Sequence, residues 1–146
     1  MLMSLPVRPE AIFRPMSVLA LWTGAVLLLT GVRRVLAVRA KSVPVRAFRL
    51  GESSDVPPEI CVFNRNFMNL LEMPLLFYVV SLAFYVTHAV DDLTVQLAWA
   101  YLVLRLIHSA IHLTFNRVGT RFLAFAASNI VLLVLWIRFI ARVAWR

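Results

Sequence analysis

The chain has 146 residues, of which 62% are hydrophobic and 15% charged, and its formal net charge is +8 at pH 7. Soluble domains are typically about 45 to 50% apolar, so this composition excludes a single soluble domain and indicates an integral membrane protein. The basic residues cluster at the ends of apolar stretches, which is typical of membrane orientation and contact with lipid head groups rather than of nucleic-acid binding.

Four apolar segments are each close to the roughly 20 residues that a helix needs to cross a bilayer. In chain order they cover residues 16–39, 59–88, 92–115 and 121–141. We therefore predict an all-α fold, an integral membrane four-helix bundle that forms a single domain over residues 1–146. A signal peptide is the alternative for the first segment, because residues 18–30 could serve as its apolar region.

Two predicted loops lie on the same side of the membrane, at residues 41–58 and 116–120. Basic residues are more numerous around these loops than at the opposite ends of the helices. The excess of Lys and Arg on one side predicts that these loops are cytoplasmic and that both termini lie on the far side. The third helix begins at Asp92, which beside Asp91 is a candidate for the helix cap.

The second apolar segment carries a polar stripe. Arg65, Asn69 and Glu72 are spaced i, i+4 and i+7, so on a helix they share one face. A charge at the centre of a bilayer costs at least about 2.5 to 3.5 kcal/mol, so such residues are expected to face a protein interior and to have a function. This stripe is the first candidate for a functional site.

The third segment carries a matching stripe, formed by Arg105, His108 and His112 at i, i+3 and i+7. Helical rise places this stripe level with the first in two antiparallel helices. If the helices face each other, within one subunit or across a subunit boundary, the sequence predicts three pairs along one cavity: Glu72 with Arg105, Asn69 with His108, and Arg65 with His112. Arginines, a carboxylate, an amide and imidazoles together suit a zwitterionic ligand with carboxylates and an amine.

These two motifs carry a resemblance to a known family. The sequence resembles the MAPEG superfamily of membrane-associated proteins in eicosanoid and glutathione metabolism. The resemblance lies in the pattern Arg65-x3-Asn69-x2-Glu72-x-Pro74, followed by Arg105-x2-His108-x3-His112 and by Arg121 after the next turn. The resemblance covers most of the chain. The run from Asn69 to Tyr78 is similar to bacterial members, which implies a multi-pass protein of the bacterial inner membrane.

The resemblance implies a homotrimer that binds glutathione, or a related thiol, as co-substrate between neighbouring subunits. The glutathione-contacting positions correspond to Arg65, Asn69, Glu72, Arg105 and His108. Arg121 matches the arginine that stabilises the thiolate, and His112 is the candidate for donating to the sulfur or moving a proton. The implied activity is that of a glutathione transferase or peroxidase acting on a lipophilic small molecule that enters from the membrane lipids.

The sequence departs from the family's pattern at the candidate catalytic positions. His112 stands where tyrosine is frequent, and Phe122 stands where a serine commonly follows the thiolate-side arginine. Phe125 and Ala126 replace polar residues of the prostaglandin E synthases, which argues against a specific eicosanoid synthase.

Other interpretations remain open from the residues alone. The same polar stripes could form a non-catalytic network used for assembly or lipid binding. His108 and His112 have metal-ligand spacing, but no HExxH motif accompanies them, so we predict no metal site. Arg117 and Arg121 could anchor the turn at head groups. Cys61, the single cysteine, has no internal disulfide partner and is expected to be a small buried hydrophobe.

Overall fold

The computed structural model describes residues 8–49, 51 and 53–144. Within these ranges the chain forms four long helices and no strand: α1 (Phe13–Arg39), α2 (Pro58–Val86), α3 (Asp92–Leu113) and α4 (Val118–Phe139). All four are long and apolar enough to cross a membrane. The predicted all-α, four-helix class is confirmed, and the protein is an integral, multi-pass membrane protein.

Short irregular elements flank the long helices. A 3₁₀ turn, Pro9–Ile12, precedes α1, a second, Val45–Phe48, lies in the loop between α1 and α2, and a π-helical turn, Ile140–Ala144, continues α4. Beneath the α1–α2 loop a small apolar cluster holds the loop against the start of α2. Its buried members are Ala37, Val43, Ala47 and Val56.

The ends of the helices follow from local chemistry. Proline at the first position of α2, Pro58, fits because the missing N–H would have no partner there. The cap of α3 is Asp91 rather than Asp92, since the Asp91 carboxylate accepts a hydrogen bond from the backbone N–H of Thr94 over 2.8 Å. Inside α2, Pro74 cannot donate to the carbonyl one turn earlier, and its ring is buried against the bundle.

The turn between α3 and α4 is shorter than the sequence suggested. Helix α4 begins at Val118, so Gly119 and Thr120 belong to its first turn instead of to the loop. The left-handed residue of the turn is Asn116, with φ of 44°, a conformation that asparagine tolerates better than most residues. This shift brings the side chain of Arg121 onto the first turn of a helix.

The helices pack mainly as two pairs, α1 with α2 and α3 with α4. Aromatic rings join the pairs: Phe77 on α2 stacks on Tyr101 of α3 with centroids 4.5 Å apart, and Phe84 meets Phe139 edge-on at 5.3 Å. The fully buried aliphatic core includes Leu19, Val26, Leu70, Val80 and Leu102. Many other large apolar side chains, such as Leu21 and Leu28, are exposed on the outside of the bundle, as expected for lipid or subunit contact.

Candidate functional site

A cavity of about 540 Å³ opens between α2, α3 and α4. Its size falls within the range of small-molecule sites, roughly 300 to 1,000 Å³. The polar residues of its wall are Arg65, Asn69, Glu72, His108, His112 and Arg121. Every residue predicted for the site, with the exception of Arg105, therefore lines one cavity.

Helix α2 supplies one wall. Arg65 and Glu72 are exposed on the surface of the isolated subunit, and Asn69 lies between them on the same helix face. The Asn69 Nδ2 amide donates a hydrogen bond to the main-chain carbonyl of Arg65 over 2.9 Å. This bond orients the amide and leaves its Oδ1 atom available as an acceptor for a ligand.

Helices α3 and α4 supply the facing wall and are joined there. His108 Nδ1 lies 3.1 Å from the main-chain carbonyl of Arg121, and since a carbonyl only accepts, Nδ1 carries the proton. The His108 ring is 3% exposed, and its buried Nε2 atom has no hydrogen-bond partner among the described residues. Arg121 is held in turn by Asn116, whose Oδ1 accepts from the arginine NH1 over 2.6 Å.

His112 lies one helical turn beyond His108, with the two rings edge to face at 5.9 Å. It is 3% exposed, and its Nδ1 atom also lacks a hydrogen-bond partner within the described ranges. His112, Arg65 and Arg121 line a second, adjoining cavity of about 440 Å³ as well. These three side chains therefore form the boundary between the two cavities.

Arg105 does not reach the cavity. Its side chain is fully buried, and Nε donates a hydrogen bond to the hydroxyl of Tyr101, one turn earlier on α3, over 3.0 Å. The guanidinium carbon lies 5.3 Å from the ring centroid of Phe125, and neither NH1 nor NH2 has a partner in the described part of the chain. Among the described residues of one subunit no ion pair joins Arg105 to Glu72, so the direct pair is absent within the subunit. A pair across a subunit boundary, or through a ligand, stays a prediction. Helical side chains lean toward the helix N-terminus, which takes Arg105 to Tyr101.

The sequence reasoning missed two features. The first is a buried network in which Ser109 Oγ accepts from Trp22 Nε1 over 2.9 Å and from Asn66 Nδ2 over 2.7 Å. Asn66 and Ser109 are polar residues inside apolar segments, and this feature of the sequence could have indicated a buried hydrogen-bond network. The second is the apolar wall of the larger cavity, formed by Met68, Val118, Phe122 and Phe125.

The charges of the larger cavity favour an anionic ligand. Arg65 and Arg121 outnumber the one carboxylate of its wall, Glu72. With neutral imidazoles the wall carries one net positive charge, which complements a ligand that has more carboxylates than amines. Among the described residues, no group of three or more His, Cys, Asp or Glu side chains could hold a metal ion.

Comparison with known proteins identifies the family. The family model of the MAPEG family matches residues 12–141, which covers all four helices and both cavities. No curated protein and no solved structure matches the chain. Because the match extends over most of the sequence, the chain belongs to the MAPEG family.

Proposed function

We propose that this protein is a membrane-embedded, glutathione-dependent enzyme, a transferase or peroxidase that acts on lipophilic electrophiles. The observation that carries the proposal is the larger cavity, which collects two arginines, a carboxylate, an amide and two imidazoles between membrane-spanning helices. Membership of the MAPEG family supports a role connected with glutathione or eicosanoids in a membrane.

Each charged or polar group of glutathione has a candidate partner on the polar wall of the cavity. At neutral pH it has two carboxylates and one ammonium group, so its charge complements the net positive wall. Arg65 is our candidate partner for a carboxylate, because a guanidinium binds a carboxylate through two parallel hydrogen bonds. Glu72 is the candidate for the ammonium group, and the Oδ1 atom of Asn69 and the Nε2 atom of His108 can accept hydrogen bonds from the peptide N–H groups.

Arg121 is our candidate for activating the thiol. One of its N–H groups is engaged by Asn116, which fixes the guanidinium and leaves other N–H groups for the ligand. A nearby guanidinium favours the thiolate, which is the nucleophilic form. In a transferase reaction the thiolate sulfur attacks an electrophilic carbon, the C–S bond forms as the bond from that carbon to the leaving group breaks, and His112 can donate a proton to the departing group.

The apolar wall is our candidate site for the second substrate. Phe122 is 64% exposed on the outside of the isolated subunit, and Phe125 lies behind it beside His108, with ring centroids 5.8 Å apart. A lipophilic molecule dissolved in the bilayer can therefore approach the polar end of the cavity along α4. We expect the electrophilic carbon to lie next to Arg121.

We further propose that the functional unit is a homotrimer, with the α1–α2 and α3–α4 loops on the cytoplasmic side. Arg65 and Glu72 are exposed on a helix that spans the membrane, and a charge left facing lipid is costly. A neighbouring subunit that covers this face would close the cavity and shield both charges. Native mass spectrometry in mild detergent should show trimers, and monomers alone would contradict this assembly.

The alternative is a non-catalytic protein that uses the polar residues for assembly. The fully buried Arg105 and the network around Ser109 favour it, because these residues serve the fold without touching the cavity. Calorimetric titration of the purified protein with glutathione separates the two. The enzyme predicts saturable binding that Arg65→Ala weakens and that Arg46→Ala, on the exposed loop, leaves unchanged. The alternative predicts no binding even at millimolar glutathione.

A further inference from the structure

Helix α4 carries an amide side chain, Asn129, in the middle of its apolar sequence. The helix extends from Val118 to Phe139, and from Phe122 to Ile137 it has no charged residue. Asn129 therefore lies in the part of α4 that crosses the hydrocarbon core of the membrane. A polar group at that depth is costly unless it has a hydrogen-bond partner, so its presence indicates a function.

The Asn129 amide is not satisfied within the subunit. The residue is partly buried, and its Oδ1 atom is buried without a hydrogen-bond partner among the described residues. Buried side-chain oxygens are normally paired. A half turn about the last side-chain bond exchanges Oδ1 and Nδ2, so the amide can offer either an acceptor or donors to a molecule beside the helix. The missing partner is therefore a polar group that the described part of the subunit does not supply.

The position of Asn129 connects it with the larger cavity. Phe122, Phe125 and Asn129 are spaced i, i+3 and i+7, so they lie on one face of α4. The two phenylalanines belong to the apolar wall of the larger cavity. This helix face therefore continues that wall toward the middle of the membrane. A lipophilic molecule whose reacting carbon lies at Arg121 can extend along it to Asn129.

We propose that Asn129 is a specificity-determining residue for the second substrate and forms a hydrogen bond with an uncharged oxygen, a hydroxyl or a carbonyl, on the chain of the lipophilic electrophile. The inference rests on the proposed function, because it takes the reacting carbon to lie beside Arg121. A carboxylate does not fit at this depth, since α4 has no cation between Phe122 and Ile137 and the guanidinium of Arg105 is fully buried. The substrate class is accordingly an oxygenated lipid electrophile.

The spacing along α4 gives the position of this oxygen on the substrate. Arg121 and Asn129 are eight residues apart, which corresponds to about 12 Å along the helix axis. Carbon–carbon bonds are about 1.5 Å long and follow a zigzag, so an extended chain covers this distance in about ten bonds. We therefore expect a preference for electrophiles whose hydroxyl or carbonyl oxygen lies at about that distance from the reacting carbon.

The test compares two isomeric aldehydes, 12-hydroxy-2-dodecenal and 7-hydroxy-2-dodecenal, with the purified protein in detergent. In both, the thiolate sulfur of glutathione adds to the β-carbon, the C=C electron pair moves to form an enolate, and the α-carbon then takes up a proton. The isomers have the same composition, and only the first has its hydroxyl at the distance of Asn129. The wild-type kcat/KM, corrected for the uncatalysed reaction, should favour that isomer by about two- to tenfold, the effect of one neutral hydrogen bond.

Two variants assign this preference to Asn129. Asn129→Leu should bring the ratio of the two kcat/KM values to about one, whereas Ile130→Leu, at the neighbouring exposed position, should leave it unchanged. Equal rates for the two isomers in the wild type, or a preference that persists in Asn129→Leu, would overturn the inference and leave the proposed enzyme intact. Loss of oligomers in native mass spectrometry of Asn129→Leu, with the preference unchanged, would also overturn it and assign the amide to a subunit contact.

Binding without turnover separates this inference from the proposed function. Dodecane-1,12-diol, which cannot react, should raise the melting temperature of the wild type more than dodecane-1,7-diol, and the two diols should act equally on Asn129→Leu. If neither aldehyde is consumed but the diols differ in this way, the proposed enzyme is wrong and the contact with Asn129 is supported. If the aldehydes are not consumed and the diols do not differ, both are wrong.

Discussion

The imidazole of His108 and the backbone of Arg121 are joined by a hydrogen bond of 3.1 Å from Nδ1 to the main-chain carbonyl. This bond joins the C-terminal part of α3 to the first turn of α4 at the edge of the larger cavity. It fixes the orientation of the histidine ring and the position of the arginine together. The proposed thiolate-stabilising residue therefore depends on a neighbour that belongs to a different helix.

Removing this bond should affect both stability and the site. His108→Ala should lower the free energy of unfolding by about 1 to 3 kcal/mol, because a buried hydrogen bond and a buried ring are lost. It should also weaken glutathione binding, since the His108 ring lines the cavity that we assign to glutathione. Thermal melts and titration calorimetry measure the two effects, with His88→Asn as the control, because His88 is exposed and its φ of 54° is tolerated by asparagine. An unchanged melting curve would show that the hydrogen bond does not contribute to stability.

The network around Ser109 should be structural. Ser109→Ala removes the acceptor of a buried donor, Asn66 Nδ2, and of a partly buried one, Trp22 Nε1, and should cost about 1 to 3 kcal/mol. Ser17→Ala, at an exposed position of α1, should change stability by less than about 0.5 kcal/mol. Glutathione affinity should be preserved in both variants, because neither serine lines a cavity. A loss of affinity without a loss of stability would argue against this assignment.

Arg105 and Tyr101 should be energetically coupled. Tyr101→Phe keeps the ring that stacks on Phe77 but removes the hydroxyl that accepts from Arg105 Nε, so a buried donor loses its partner at a cost of about 1 to 3 kcal/mol. In the background of Arg105→Met the same substitution should cost clearly less. A double-mutant cycle in detergent measures the difference. Equal costs in the two backgrounds would mean that the hydrogen bond is not important in the folded protein.

Asp91 should make stability depend on acid pH. Its partial burial opposes ionisation, but the hydrogen bonds from Thr94 and the charges of Arg142 and Arg138 outweigh that effect and lower the pKa of the carboxyl. The folded-state value is then below that of the unfolded chain. The stabilisation is complete above the ordinary aspartate pKa of about 3.9 and is lost as pH falls through the lower folded value.

The test uses Asp91→Asn, which retains a good helix cap and removes the ion pairs with Arg138 and Arg142, at 3.0 and 2.6 Å. Both pairs are partly exposed, so the loss at neutral pH should be about 1 kcal/mol at most. Melting temperatures from pH 7 down to about pH 3 should converge for wild type and variant at the acid end. Curves that stay parallel over the range would exclude Asp91 as the source.

The sequence was sufficient to predict the fold class because its signals were strong and local. Four apolar stretches of membrane-spanning length, separated by Pro-containing or turn-forming segments, correspond to four helices in the structure. The helix ends were harder to place. Asp91 and Asp92 are both aspartates, so residue type does not distinguish which of them caps α3. The backbone geometry of the structure identifies Asp91 as the cap. Likewise Gly119 was an obvious turn residue, yet Asn116 adopts the left-handed conformation.

The composition of the cavity was largely predictable, while its pairings were not. Helical spacing placed Arg65, Asn69 and Glu72 on one face, and the structure keeps them together. The positions of two residues along their helix axes do not determine which helices are neighbours. In the structure α3 packs mainly against α4 and makes fewer contacts with α2. Arg105 consequently lies against Phe125 of α4, away from Glu72. Contacts between helices depend on side-chain shape, which periodicity does not encode.

The role of Arg121 in activating the thiol is tested most directly by the ultraviolet absorbance of glutathione thiolate in the presence of the protein at pH 7. We expect a saturable thiolate band with the wild type, and its loss in Arg121→Ala while calorimetry still detects glutathione binding. Arg117→Ala, at the neighbouring exposed arginine, should retain the band. Bound glutathione without a thiolate band in the wild type, or a band that persists in Arg121→Ala, would contradict the assignment of Arg121 as the residue that activates the thiol.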